Sequence, residues 1–239
     1  MSKKIGIVLS HINRQEQLYR TLQSIEDQQP DNIIVVVVDD GSDKPIELPK
    51  QYYFPLEILI IRKEEKTWTN AEVALNAGIE MVIGRGAKII MVQGAETYHE
   101  GPVIEYARKH TKDNNYLTFT CKSMGRYGAF EQWYNHPVHH PVAYDFCASI
   151  TKKNVIALNG YDERLAFGVS YGDVYWLDRI RWLGLKVEIV ESPVVCHQWH
   201  LVCWVSIRGE LVQKNQKIYE ELIKKKEIKA QRVITKDLI

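Results

Sequence analysis

The chain has 239 residues, with 31 lysines and arginines against 30 aspartates and glutamates, so its formal net charge is only +1. That balance argues against a strongly electrostatic nucleic-acid binder, although a local basic face is compatible with it. The length suits one domain with a full core, and no apolar run approaches the roughly 18 residues of a spanning helix. Lys3-Lys4 leads straight into a short strand instead of a signal segment. Cys121, Cys147, Cys196 and Cys203 form no C-x-x-C pair, so reduced thiols in a cytoplasmic protein are expected.

Along the chain, Lys4–Leu9 reads as a buried strand, followed by the polar loop Ser10-His11-Ile12-Asn13-Arg14 and a helix on which Leu18, Leu22 and Ile25 recur at helical spacing. The next strand is the clearest signal in the sequence. Six β-branched apolar residues, Ile33 to Val38, suit a strand covered on both faces, and they end abruptly in Asp39-Asp40-Gly41-Ser42. Strand, helix, strand is a right-handed βαβ unit whose ligand belongs beyond the carboxyl ends of the strands. The acids can also serve as simple turn formers. Neither G-x-G-x-x-G nor a P-loop follows the first strand, which disfavours NAD chemistry and P-loop hydrolysis.

Thr69 to Val82 reads as an amphipathic helix with Val73, Ala77 and Met81 on one stripe, and Ala87–Val92 as another short buried strand, ending in Gln93-Gly94-Ala95-Glu96. Met124 to Pro141 is rich in aromatics and histidines. Its Trp and Tyr rings can stack on sugar faces, whereas His136, His139 and His140 lack the spaced quartet of a structural zinc site. Asp173 precedes Val174, Leu177, Ile180 and Leu183 and can act as a helix N-cap. Lys214 to Lys229 is locally basic and helical, read as a solvated face in preference to a membrane or polyanion contact.

Ile7-Val8-Leu9-Ser10-His11-Ile12-Asn13-Arg14 followed by Val38-Asp39-Asp40-Gly41-Ser42 resembles the opening of family-2 glycosyltransferases with the GT-A fold. The resemblance implies a single α/β GT-A domain over 1–239, Rossmann-like, with a mostly parallel central sheet flanked by helices. Residues 1–100 would hold the nucleotide sugar and 101–205 the acceptor, and 206–239 would be a basic helical extension. It places Ser10, Ile12, Asn13 and Arg14 around the nucleotide, together with the Asp39-Asp40 pair. Asp40 would hydrogen-bond the base. A carboxylate accepts from the imide N–H of uracil, which favours a UDP-sugar over TDP or GDP donors. Asn76-Ala77-Gly78 resembles the Asn-x-Gly of the helix lining the donor pocket, although a solvated surface Asn fits equally well.

Two departures stand out. The family usually follows the strand ending at Val92 with an acidic triplet that holds a divalent cation, but Gln93 and Ala95 stand where its two acids belong. Glu96 is the nearby carboxylate, and Ser192 to His200 resembles the family's ending that delivers a histidine, so the expected metal set is Glu96, His197 and His200. Imidazole ligands favour manganese over magnesium, with direct contact of His197 to the diphosphate as the metal-free alternative. The Gly160-Tyr161-Asp162-Glu163 segment and the region opening at Gly172-Asp173 resemble the family's acceptor side, galactosyltransferases included. There Gly172 replaces the first acid of a pair, and Asp173 keeps the second, the general base of an inverting transfer to an acceptor hydroxyl on a glycan or other molecule. A non-catalytic nucleotide- or carbohydrate-binding module on the same fold is the alternative. A sugar nucleotidyltransferase would need a glycine-rich loop that is absent.

Overall fold

A computed structural model describes residues 2–201 and 208–235; Cys203 lies outside them. The elements run β1 (Ile5–His11), α1 (Gln15–Glu26), β2 (Ile33–Asp40), β3 (Leu56–Ile61), α2 (Glu72–Gly84), β4 (Ile89–Gly94), β5 (Thr97–Glu100), α3 (Val103–His110), β6 (Asn115–Met124), β7 (Phe130–Tyr134), β8 (Cys147–Thr151), α4 (Lys152–Leu158), a 3-10 turn (Glu163–Leu165), α5 (Gly172–Trp182), β9 (Lys186–His197) and α6 (Arg208–Lys225). The strands form one sheet in the order β3-β2-β1-β4-β8-β6-β9-β5, with β7 paired to β6. β3, β2, β1 and β4 are mutually parallel, as the βαβ pattern requires. β8 joins antiparallel to both β4 and β6, and β6 then pairs parallel with β9. The expected α/β GT-A architecture, a largely parallel sheet with helices on its faces, is what the chain adopts.

β2 explains why its sequence shows no alternation. All eight of its residues are buried. Ile34, Val36 and Val38 point into the core shared with α2 and α5, while Ile33, Val35 and Val37 point into the core under Leu18, Leu22 and Ile25 of α1. A strand covered on both faces needs apolar residues at every position.

α2 differs from the expected stripe. Glu72 to Ile79 and Val82 are all buried, and Met81 is half-buried, because the helix is enclosed between the sheet and the C-terminal segment. Gly78 lets it lie against β1, since a Cβ there would collide with Val8 Cγ1. Within the basic run, Lys214, Lys217, Lys224 and Lys225 are exposed on α6, while Asn215 and Leu222 turn inward.

Candidate active site

The carboxyl ends of β1, β2 and β4 open into a cleft of about 580 Å³ walled by Ser10, Ile12, Arg14, Asp40, Glu96 and His197 among others. β1 runs to His11, so Ser10 stands at the strand end while Ile12 and Arg14 follow in the loop. Asp40 is 4% exposed; its Oδ1 accepts from Trp68 Nε1 at 2.8 Å, and Lys66 pairs with Oδ2. Its neighbour turns elsewhere, because side chains alternate along a strand. Asp39 Oδ1 accepts from the backbone N–H of Ser42, closing the turn. Asn13 likewise leaves the cleft. It sits at φ 53° and exchanges hydrogen bonds with Ser42 and Asp43, tying the β1 and β2 loops together. Asp39 and Asn13, both expected around the nucleotide, thus shape the loops that border the cleft.

Asn76 is likewise held within the fold. It is fully buried, donating to Tyr161 O and Glu163 Oε1 at 2.9 Å and accepting from the Tyr161 N–H at 2.7 Å. It faces neither the cleft nor solvent. Its amide matches the peptide of the Gly160-Tyr161 turn, where Gly160 adopts φ 73° and has no Cβ to strike Asn76 Oδ1.

The three expected metal ligands do come together. One ligand atom each from Glu96, His197 and His200 lies within 4.8 Å of the others, the sole such His/Cys/Asp/Glu group among the described residues. Glu96 folds back over β4, and glycine at 94 makes room, since a Cβ there would stand 2.6 Å from Glu96 Oε1. Gln93, where an acid was expected, instead donates to Thr97 O and accepts from His99 inside the core, and Ala95 is wholly buried. Arg14 Nη1 pairs with Glu96 Oε1 at 2.8 Å, and His197 Nε2 lies 3.6 Å from the same oxygen. Burial opposes ionisation of Glu96, yet the His197 hydrogen bond and the Arg14 charge hold its carboxyl well below the usual range. Glu96 Oε2 is buried without a partner among the described residues, and His200 donates from Nδ1 to Leu201 O at 2.9 Å. A spare carboxylate oxygen beside imidazole nitrogens is a donor set that fits a divalent ion.

Beyond Glu96 a second cavity of about 190 Å³ runs from Ser10 and Gly94 to Asp145 and Asp173. Asp173 lies in the first turn of α5, not at its N-cap, which is Tyr171; Asp173 Oδ1 accepts from the Val174 N–H. Ser170 and Tyr171 both adopt left-handed conformations, φ 65° and 66°, each costing about 1–3 kcal/mol in a non-glycine residue. The loop is held from outside by α6: Asn215 Nδ2 donates to Leu165 O and Ser170 O, both at 2.8 Å. Burial, then the Asp145 charge, lifts the Asp173 carboxyl to about 6. Asp145, whose Oδ2 accepts from the Tyr161 hydroxyl at 2.5 Å, and Glu72 also line this region, and no motif in the sequence includes either carboxylate.

A family model described as Glycosyl transferase family 2 matches residues 7–163, well over half of the chain. The chain belongs to that family. No curated protein matches this family-2 chain. Among solved structures it is similar to S. aureus TarS residues 1–349, with a TM-score of 0.60 at 12% identity over 82% of this chain and 60% of that one. The same protein in complex with UDP-GlcNAc gives 0.61 at 11% identity, over 83% and 59%. The mannosyltransferase PcManGT from Pyrobaculum calidifontis, in complex with GDP-Man and Mn2+, gives 0.57 at 15% identity, over 92% and 65%. The chain thus spans about three fifths of the length of these structures, and at such identities they show the shared fold. The matched residues stop short of Asp173 and His197, so the second half of the site rests on its geometry.

Proposed function

We propose that this family-2 glycosyltransferase moves a sugar from a UDP-sugar to an acceptor hydroxyl with inversion, Asp173 acting as general base. The observation that carries this reading is the line of cavities joining two opposite chemistries. At one end stand Arg14, Glu96, His197 and His200, suited to a diphosphate. At the other stands Asp173, a carboxyl whose affinity for protons is raised to about 6. A base near that value is largely ionised at neutral pH yet still takes a proton readily.

Asp40 and the Ser10–Ile12 segment would receive the base, with an Asp40 oxygen sharing its remaining lone pair with the imide N–H of uracil. The similar structures include one complex with a UDP-sugar and one with a GDP-sugar, so both nucleotides belong in the test. Arg14 would turn part of its charge from Glu96 to the leaving diphosphate, where negative charge accumulates. Glu96, His197 and His200 would hold a divalent ion, manganese in preference to magnesium, supplying further stabilisation of that charge. The acceptor, a glycan or other hydroxyl-bearing molecule, would enter past Tyr134 and Phe146, whose rings stack at 4.8 Å on the cleft wall beside Trp199.

The test is donor consumption by the purified chain over a panel of UDP- and GDP-sugars, with and without simple acceptors, for wild type and Asp173→Asn. Loss of turnover with retained nucleotide binding supports the assignment; equal slow turnover by both sinks it. A second reading, a binding module without catalysis, draws on the Arg14–Glu96 ion pair, which already neutralises the carboxylate the ion would use. Tight nucleotide binding with no turnover across the panel would select it.

A further inference from the structure

Glu72 is the one acidic side chain of α2's first turn, and it points inward. It is 3% exposed; Oε1 accepts from Asn70 Nδ2 at 2.8 Å, while Oε2 is buried with no partner among the described residues. An orphaned carboxyl oxygen is costly unless something supplies a hydrogen bond. Glu72 faces a cavity of about 210 Å³ that it shares with Asp145, Asp173, Ser170 and the apolar wall of Ala71 and Leu75. The space it fills exists because residue 172 is glycine: a Cβ on Gly172 would run into Glu72 Oε1. Residue 172 is also where the resemblance expects the first acid of a pair. The carboxyl missing from α5 is delivered to the same place by α2.

Ala71, Leu75, Asp145 and Asp173 wall both this cavity and the one that begins at Glu96 and Ser10. On the glycosyl-transfer reading, a sugar tethered to a diphosphate at Glu96 would extend along those shared walls toward Glu72, and an acceptor would arrive from the open, aromatic side of the cleft. The three carboxyls are spread around the cavity and do not chelate: among the described residues only Glu96, His197 and His200 converge closely enough for an ion. Carboxyl oxygens around an apolar floor suit a sugar ring, whose C–H face covers the floor while its hydroxyls meet the oxygens.

We propose that Glu72 is a specificity residue of the donor site, hydrogen-bonding through Oε2 a hydroxyl of the transferred sugar on the side away from the diphosphate, in the place that glycine at 172 vacates. This rests on the glycosyl-transfer reading above. Burial raises the Glu72 carboxyl to about 8, so near neutrality it is mostly protonated and can both donate and accept. A neutral group that reads hydroxyls by donor and acceptor together rejects sugars whose hydroxyl at that carbon is inverted or missing, because the buried oxygen is then left unpaired.

The experiment is calorimetric titration of the full chain, with manganese present, by UDP, UDP-glucose, UDP-galactose, UDP-N-acetylglucosamine, GDP and GDP-mannose. The quantity read is the affinity ratio of each nucleotide sugar to its own nucleotide. Wild type should favour one sugar over the bare nucleotide. Glu72→Met, similar in length and free of buried polar atoms, should shrink that preference by about tenfold, while the bare nucleotide binds as before. Glu72→Gln, which keeps an acceptor and a donor, should retain most of it. Gly172→Ala, by displacing the carboxyl with residue 72 intact, should imitate Glu72→Met, and thermal melts confirm that each variant is folded. An unchanged ratio in folded Glu72→Met overturns the proposal, as does a wild type that binds a sugar nucleotide no better than the bare nucleotide. Wild type that binds none of the nucleotides overturns the glycosyl-transfer reading itself.

Discussion

Asp173 and Glu72 show how burial sets chemistry at single residues. Both carboxyls lie in a pocket with Asp145 and, among the described residues, without a lining cation, so desolvation first and like charge second disfavour their ionised forms. Asp173 must be ionised to accept a proton, so kcat/KM should rise with pH and level off above about 6; a rate flat from pH 5 to 8 would remove Asp173 as base. Asp173→Asn should lower kcat by roughly a hundred- to ten-thousandfold in transfer assays. Stability should follow the opposite sign. Both groups hold protons more tightly folded than unfolded, so their contribution is complete below about pH 4 and is lost as pH rises through about 6 and then about 8. In melts of the metal-free chain Tm should fall across that window, and Glu72→Gln, which cannot ionise, should flatten its upper part.

Elements meet here through small residues and buried amides. Gly78 lets α2 pack against Val8 of β1, and replacing it by valine should overfill that contact and destabilise the chain by about 1–3 kcal/mol, read in denaturant unfolding. Asn76 ties the same helix to the Gly160-Tyr161 turn with hydrogen bonds to buried backbone. Asn76→Ala should therefore cost about 1–3 kcal/mol of stability while UDP affinity in titration stays within a factor of two or so. A large affinity loss at unchanged stability would return Asn76 to the donor pocket. α6 acts in the same manner on the other side. Asn215 spans Leu165 and Ser170, and Gly168 has no Cβ to strike it, so a C-terminal helix with a solvated lysine face still fixes the strained turn before Asp173.

For the whole molecule, the site lies where the parallel half of the sheet meets its mixed half. β1, β2 and β4 end at the cleft, and β9 returns parallel to β6 to bring His197 beside Glu96. Glu96→Ala or His197→Ala should weaken manganese-supported UDP binding by about tenfold or more, and chelator should do the same to wild type. Equal UDP affinity in manganese and in chelator would leave Arg14 and His197 acting on the diphosphate without an ion. No described helix is long and apolar enough to cross a membrane.

Periodicity and local chemistry were enough to read the frame. The doubly covered β2, the α1 spacing of Leu18, Leu22 and Ile25 and the polar strand ends depend on neighbours within a few residues, and the opening motif carried the family. Glu96, His197 and His200 were also legible, because a motif marked the end of each segment, though nothing local placed Arg14 on the same carboxylate. Tertiary structure alone decided the orientation of side chains adjacent in sequence: Asp40 toward the cleft and Asp39 into its turn, Asn76 into a peptide it meets 85 residues later. It also decided that Glu72 occupies the space left by Gly172, 100 residues away. A vacancy at a glycine is a property of the backbone path, and what fills it depends on which helix packs there, so no pattern in the neighbouring residues records it.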